Sequence, residues 1–303
     1  MSIPKLHKGD RVALVDASGP GPEARLEKSV QAVESFGLQP VVYDSCRARH
    51  GYLAGTDELR ARDLTDAFLD DSLAGVLCIR GGYGAHRLLP LLDIAAIAAH
   101  WKPFLGYSDV TALHIAFNNL GLTSYHAPMP STEWYSQEFD PFTRDGVEEV
   151  LFGHPELLQN PAGYPARCLQ PGVAVGPLVG GNLSLISASL GTPWALDARD
   201  KILFLEDIDE DVYRVDNMLT HLRNAGLFDA CRGVVLGAWT NCTAKEPEKS
   251  LSLCQVFEEV ILPAGKPVLM DLRCGHCLPT LSLTLGEEVR LDAGAMSIEC
   301  LEG

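Results

Sequence analysis

Three features of the chain predict an α/β protein whose first half is built on a parallel sheet. Short apolar strands alternate with amphipathic helices, the rhythm of a parallel sheet. The strands end in glycine- or proline-rich turns. A composition of 47% apolar and 21% charged residues can fill sizeable cores. At 303 residues there is room for two domains, expected at 1–150 and 176–303. Between them, over 151–175, the periodicity gives way to aromatic, proline-rich and glycine-rich sequence, which reads as a linker.

Residues 11–16 form a short apolar strand, and Ala17-Ser-Gly-Pro-Gly-Pro22 is a turn whose Pro22 suits a first helical position. Leu26, Val30 and Val33 mark one face of a helix that Gly37 stops. A strand over 39–43 follows. Beyond the loop Gly51-Tyr-Leu-Ala-Gly55, Thr56 caps a helix with Asp57 and Glu58 in its first turn. The strand over 75–79 runs into Arg80-Gly-Gly-Tyr-Gly84, three glycines in five residues. Such a turn lets backbone amides approach a ligand, and ligands of open α/β sheets lie beyond the carboxyl ends of strands. A plain tight turn is the competing reading, whereas a dinucleotide loop would need G-x-G-x-x-G spacing. Lys102-Pro-Phe-Leu-Gly-Tyr-Ser-Asp-Val-Thr-Ala-Leu-His114 reads as a strand that stops at Gly106 and restarts as a helix. Val110, Leu113, Phe117 and Leu120 share the face of that helix, and Gly121 is its stop. A strand over 123–126 and a helical stretch over 143–152 complete the first half.

The second half opens with Gly176-Pro-Leu-Val-Gly-Gly-Asn-Leu-Ser-Leu-Ile186, in which Asn182 caps a short helix. The apolar strand over 201–205 ends in the acidic run Glu206-Asp-Ile-Asp-Glu-Asp211. Val212, Val215, Leu219 and Leu222 then form a helical face stopped by Gly226. A strand over 233–236, a helix over 253–261 and a strand over 267–270 lead to Gly275-His276. Strands over 281–285, 289–292 and 296–301 make an antiparallel tail, with Asp292-Ala-Gly294 as a hairpin turn.

A net charge of -16 argues against nucleic acid and anionic membrane as partners, because both demand a basic patch. The first residues lack the apolar core of a signal peptide, and no apolar run approaches the roughly 20 residues of a membrane span, so the expectation is a cytoplasmic protein. Nine scattered cysteines fit reduced thiols better than a disulfide framework. Cys274-Gly-His-Cys277 has dithiol spacing, but the alternating residues after it read as a strand where a redox motif needs a helix. No second ligand pair at zinc spacing accompanies it.

Ser108 falls in the tight strand-to-helix turn, where unpaired amides make the first helical turn electropositive. It reads either as a helix cap, with Asp109 in the first turn, or as a nucleophile. A serine nucleophile needs a base within hydrogen-bond reach and a carboxylate to orient that base. His114 is too far along the same helix, His126 ends a strand, and His276 stands on a loop between strands. Glu206 continues an apolar strand and should be half buried at its carboxyl end. Asp209, Glu210 and Asp211 read as a solvated helix entry, with a divalent-metal cluster as the alternative.

Gly51-Tyr-Leu-Ala-Gly-Thr-Asp57, Arg80-Gly-Gly-Tyr-Gly84, Lys102-Pro-Phe-Leu-Gly-Tyr-Ser-Asp109, Gly180-Gly-Asn-Leu-Ser184, Leu203-Phe-Leu-Glu-Asp207, Leu219-Thr-His-Leu-Arg223 and Gly275-His276 occur in the order found in the L,D-carboxypeptidases. Over nearly its whole length the chain resembles this family of muramoyltetrapeptide carboxypeptidases. The resemblance implies a doubly wound, flavodoxin-like parallel sheet in the N-terminal domain, a C-terminal α/β domain with a swivelling β-barrel-like core, and a site between them. It implies a triad of Ser108 as nucleophile, His276 as general base and then acid, and Glu206 as its orienting partner. The amides of Asp109 and Gly82 would hold the oxyanion, and Arg80, Gly81 and Tyr107 are candidate substrate contacts. No cofactor or metal is implied. The implied substrate is a muropeptide that loses its terminal D-alanine during cytoplasmic peptidoglycan recycling, and the implied assembly is a homodimer.

Two stretches depart from the family pattern. Asp271-Leu-Arg-Cys-Gly-His-Cys-Leu-Pro279 lacks the expected apolar approach and following glycine, and Val15-Asp-Ala-Ser-Gly-Pro20 stands where an Ala-Pro-Ser type of turn is usual. A hydrolase of acylated nucleotide antibiotics within the same family would need an aromatic platform, for which Trp134 and Trp194 are candidates. A non-catalytic binding protein on the same sheet would leave Ser108 a cap only.

Overall fold

The run Arg11–Val15 (β1) is buried after its first residue, as a strand covered on both faces must be. It is followed by α1 (Glu23–Ser35), β2 (Gln39–Val42), α2 (Asp57–Leu69), β3 (Gly75–Cys78), α3 (Ile94–Ala99), β4 (Phe104–Gly106), α4 (Thr111–Asn118), β5 (Ser124–His126) and α5 (Pro141–Phe152). Then come β6 (Leu157–Leu158), β7 (Arg167–Gln170), β8 (Val173–Asn182), α6 (Leu183–Ser189), β9 (Ile202–Ile208), α7 (Val212–Asn224), α8 (Leu227–Ala230) and β10 (Gly233–Thr240). The chain closes with α9 (Leu253–Val260), β11 (Val268–Met270), β12 (Leu283–Leu285), β13 (Glu288–Asp292) and β14 (Ser297–Cys300). This computed structural model describes residues 5–301, which fall into two compact units.

The first unit holds residues 5–154 with 282–284. Its sheet runs β12-β5-β4-β3-β1-β2, and the pairings from β5 through β2 are parallel. The order 2-1-3-4-5 is the flavodoxin-like one, and it reverses direction between β1 and β3. At such a switch point the connections leave to opposite faces and open a crevice beyond the strand ends. The turns after β1 and β3 flank it.

Buried Arg60 of α2 braces these two turns. It donates to the Ala17 carbonyl at 2.5 Å, the Gly84 carbonyl at 3.0 Å and Asp57 Oδ1 at 2.5 Å. Asp57 in turn holds Arg87 at 2.7 Å. Thr56 caps α2 by accepting the Leu59 amide at 3.3 Å. Helix α4 is buried on every side, with Phe117 edge-on to Phe104 at 5.2 Å between ring centres.

The second unit holds residues 155–281 with 285–301. Its eight-stranded mixed sheet, β6-β14-β13-β8-β9-β10-β11-β7, curls into a half-barrel. The central strands β8, β9, β10 and β11 are parallel, and the flanking pairings are antiparallel.

Three expectations differ from the structure, and one helix had none. Residues 151–175, read as a linker, carry β6 and β7, too short to show a period. The strand expected over 281–285 forms only at β12 and pairs in the first sheet, not in the antiparallel tail. Periodicity says which residues are extended, and only tertiary contact says which edge they meet. Helix α3, capped by Asp93, leaves no helical period in the sequence because Ile94-Ala-Ala-Ile-Ala-Ala99 is uniformly apolar and has no polar face. Helix α4 ends at Asn118 and leaves Leu120 exposed beyond it.

Asp57 keeps Arg87 when Arg60 is removed, so the cost falls on the Ala17 and Gly84 carbonyls, which lose a buried donor at about 1–3 kcal/mol. Arg60→Ala should therefore lower the unfolding free energy measured in urea by about 2 kcal/mol.

Candidate active site

Ser108 follows Tyr107, an extended residue at φ -158°, and opens a short 3₁₀ turn, Ser108–Val110, that feeds α4. Its own φ is 62°. Cap residues sit in the β region, so this is not the backbone of a helix cap. A left-handed non-glycine residue costs on the order of 1–2 kcal/mol and persists only where its surroundings enforce it. The enforcing contacts are close. A Cβ on Gly106 would lie 2.7 Å from Val110 Cγ1, and one on Gly81 would lie 2.8 Å from Ser108 Cβ and 3.5 Å from the Asp109 nitrogen. Asp109 Oδ2 accepts the Ala85 amide at 2.7 Å, tying the serine turn to the glycine turn. Strand, strained serine and helix in succession is the geometry of a nucleophile elbow, in which the turn projects the hydroxyl from the sheet edge.

A buried polar chain anchors the strand end from behind. His114 Nε2–H donates to the Gly106 carbonyl at 2.9 Å, and its Nδ1 accepts from the Ser124 hydroxyl at 2.8 Å. Burial pushes the His114 pKa down to about 3, so the ring is neutral. Tyr107 is buried, with its hydroxyl donated to Glu133 Oε1 at 2.5 Å, while Glu133 Oε2 accepts the Met129 amide at 2.9 Å. Arg80 gives one guanidinium N–H to the Pro20 carbonyl at 2.6 Å. His126 is buried beside the Tyr107 ring, at 5.7 Å between ring centres.

In the second unit Glu206 lies within β9 and is fully buried. The expected half-burial is corrected, because β9 has a parallel neighbour on either side. Glu206 Oε2 accepts Nδ1–H of His276 at 2.7 Å and the backbone N–H of His276 at 3.2 Å. Thr240 on β10 donates its hydroxyl to the His276 carbonyl at 2.5 Å. With Nδ1 as donor, Nε2 is the acceptor nitrogen of the ring. Two glycines admit this packing. Gly275 has φ 110°, and a Cβ there would sit 2.8 Å from Glu206 Cδ; one on Gly237 would sit 2.6 Å from the Cys274 carbonyl oxygen.

The other acids diverge. Asp207 Oδ1 accepts from Asn182 at 2.9 Å and from the Ile208 amide at 2.8 Å, and Oδ2 accepts the Ser184 amide at 2.9 Å. Burial pushes its pKa up to about 6. Asp209 accepts from Asn241 at 3.0 Å, and Glu210 pairs with Arg214 at 2.6 Å. Among the described residues no group of three His, Cys, Asp or Glu side chains could hold a metal ion. All nine cysteines are free thiols. Burial raises the pKa of both Cys274 and Cys277, which disfavours the reactive thiolate of a redox pair. Trp134 is buried, 4.7 Å from the Phe36 ring, with its indole N–H donated to the Pro128 carbonyl at 2.8 Å, and cannot serve as an open platform.

Profiles of the LD-carboxypeptidase N-terminal and C-terminal domains match residues 12–127 and 175–291. The chain belongs to the LD-carboxypeptidase family. The "Probable murein peptide carboxypeptidase" of Bacillus subtilis is 39% identical over 95% of this chain and 90% of its own length. A crystal structure of a muramoyltetrapeptide carboxypeptidase from Oxalobacter formigenes superposes with a TM-score of 0.83 at 27% identity, covering 95% of this chain and 97% of that one. The microcin C7 self-immunity protein MccF of Escherichia coli is 24% identical over 97% of this chain and 94% of its own length. A wild-type apo MccF structure superposes with a TM-score of 0.88 at 23% identity, over 100% of this chain and 99% of that one, a likeness of fold. Membership of the LD-carboxypeptidase family supports a carboxypeptidase-type hydrolase. No helix among the described residues is long and apolar enough to cross a membrane.

The sequence missed Arg60, Glu133, Asp207 and the anchoring role of His114. His114 left a signal, its place between the apolar residues Leu113 and Ile115 of the helix, and its partners lie on β4 and β5. His114 is neutral when folded, whereas the unfolded chain takes up the proton below pH 6.5. Its contribution to stability is present above pH 6.5 and is lost as pH falls from there toward 3. His114→Gln should therefore lose less stability between pH 7.5 and 5 than the parent does, by about 2 kcal/mol in urea unfolding.

Proposed function

We propose that this LD-carboxypeptidase family member is a serine carboxypeptidase that releases the terminal D-alanine of muropeptide tetrapeptides, with Ser108, His276 and Glu206 as its triad. The Glu206–His276 pair carries the reading. A buried carboxylate holds the imidazole at Nδ1 and leaves Nε2 as proton acceptor, the state a serine nucleophile requires of its base. The strained turn of Ser108 supports the other half.

The reaction runs in two stages. His276 Nε2 takes the Ser108 proton as Oγ attacks the carbonyl carbon of the third residue. The C–N bond then breaks, the proton passes to the departing amine of D-alanine, and an ester to Ser108 remains. Water attacks that ester, giving its proton to Nε2, and Ser108 Oγ recovers the proton as the tripeptide leaves. The amides of Asp109 and Gly82 are the proposed oxyanion donors, each contributing about 3–4 kcal/mol in well-studied hydrolases. Arg80 and Gly81 are the proposed contacts for the peptide. Tyr107 acts from behind the turn, through Glu133. None of these steps draws on a cofactor or metal. Nine free thiols fit a cytoplasmic setting, where recycled muropeptides would be met. The homodimer implied by the family resemblance stands as part of the proposal.

Ser108→Ala should abolish D-alanine release from a purified muramoyl tetrapeptide while leaving the circular dichroism spectrum intact. An unchanged rate would remove the triad. Glu206→Gln should lower kcat by roughly 10²–10⁴-fold with little change in KM. Gly275→Ala should follow it, because a Cβ there displaces the carboxylate.

A further inference from the structure

Two tyrosines with large exposed surfaces stand at the carboxyl edge of the first sheet, and none of the chemistry above uses them. Tyr52 is 68% exposed and Tyr83 is 54% exposed. Their rings meet edge to face, 5.6 Å between centres and 67° between planes. Single exposed aromatics need no explanation, but a paired set beside a candidate site does.

The pair is held on a stiff frame. Tyr52 tips a tight hairpin closed by reciprocal bonds between His50 and Leu53, at 2.9 and 3.0 Å. That hairpin is tied to the turn after β1 by the Ala54 amide on the Ser18 carbonyl at 3.0 Å. The same turn reaches the glycine loop of Tyr83 through the Gly19 amide on the Gly81 carbonyl at 3.2 Å. Arg60 locks both turns from beneath. A Cβ on Gly84 would sit 2.6 Å from Leu53 Cδ2, so the two tyrosine-bearing loops are in direct contact. The rings are thereby fixed at the β1/β3 switch point, where a sheet of this order places its ligand.

We infer that Tyr52 and Tyr83 form a subsite for the sugar ring of a muramoyl peptide. This rests on the carboxypeptidase reading and adds a determinant of substrate choice to it. The stem peptide of such a substrate is polar and ends in a carboxylate, a poor match for two aromatic rings. The C–H face of a pyranose is the apolar surface the substrate offers, and the Arg87–Asp57 pair, near enough to both tyrosines for their hydroxyls to act on Arg87, supplies polar partners for the sugar hydroxyls. The reach agrees. Gly81 abuts Ser108, and Tyr83 lies two residues on, at most about 7 Å of chain. Three residues of extended peptide span about 10 Å from scissile bond to sugar.

The test compares a muramoyl tetrapeptide with the same tetrapeptide lacking the sugar, using Tyr52→Ala, Tyr83→Ala, the double variant and the two Phe variants. The Ala variants should raise KM for the sugar-bearing substrate about tenfold, with kcat within twofold and the sugar-free KM unchanged. The Phe variants should retain the parent KM. Equal rises for both substrates would assign the pair to the peptide, and unchanged KM for both would leave it no part in binding; either overturns the inference. A changed sedimentation coefficient with unchanged KM would make the pair a contact between copies, which overturns it too. If the parent released no D-alanine from either substrate, the carboxypeptidase reading itself would fail. Equilibrium titration with the muramoyl tripeptide would then decide the subsite, with at least fivefold weaker binding expected in the double variant and equal binding overturning it.

Discussion

The buried carboxylate of Glu206 is the constraint around which the second unit is arranged. Moving a carboxylate out of water costs several kcal/mol even after relaxation, and β9 carries this one between two parallel strands where water is excluded. The loop that holds His276 is shaped to offset that cost. It delivers a ring N–H and a backbone N–H from one residue to one oxygen. Gly275 lets the backbone come close enough, and Thr240 fixes the far side of the peptide. The imidazole is oriented as a by-product of solvating the acid.

In the first unit the organising cost is conformational. Ser108 occupies a backbone region that side chains avoid, and the fold enforces it from three directions: the Gly81 loop in front, the Asp109–Ala85 bond at the side and the His114–Gly106 bond behind. Arg60 extends this stiffness to the loops after β1 and β3, so the carboxyl edge of the sheet is cross-braced where most loops would be mobile. Rigid support of this kind is what preorganised catalysis asks of a scaffold.

His114 and His276 show how environment assigns a residue its role. His114 meets a carbonyl and a hydroxyl, and burial keeps it neutral, so it serves as a fixed donor. His276 meets a buried carboxylate instead, which fixes Nδ1 as the donor nitrogen of its ring. The spacing of the two histidines in the chain carries no trace of this difference.

The sequence by itself determined the alternation of strands and helices, the two-part composition, and the candidate status of Ser108, Glu206 and His276. These rest on local signals: period, turn chemistry and an acid or a serine at a strand's end. It also marked the glycines at 81, 82 and 275, since close backbone approach selects glycine whatever lies opposite. Tertiary structure alone decided that β12 joins the first sheet, that residues 157–158 and 167–170 pair as strands, and that Glu206 is wholly buried. It alone showed Arg60 as a brace, Trp134 as core and Tyr52 with Tyr83 as a pair. Each of these depends on which segments meet across long stretches of chain, and a linear pattern specifies the face a residue turns inward but not the partner it finds there.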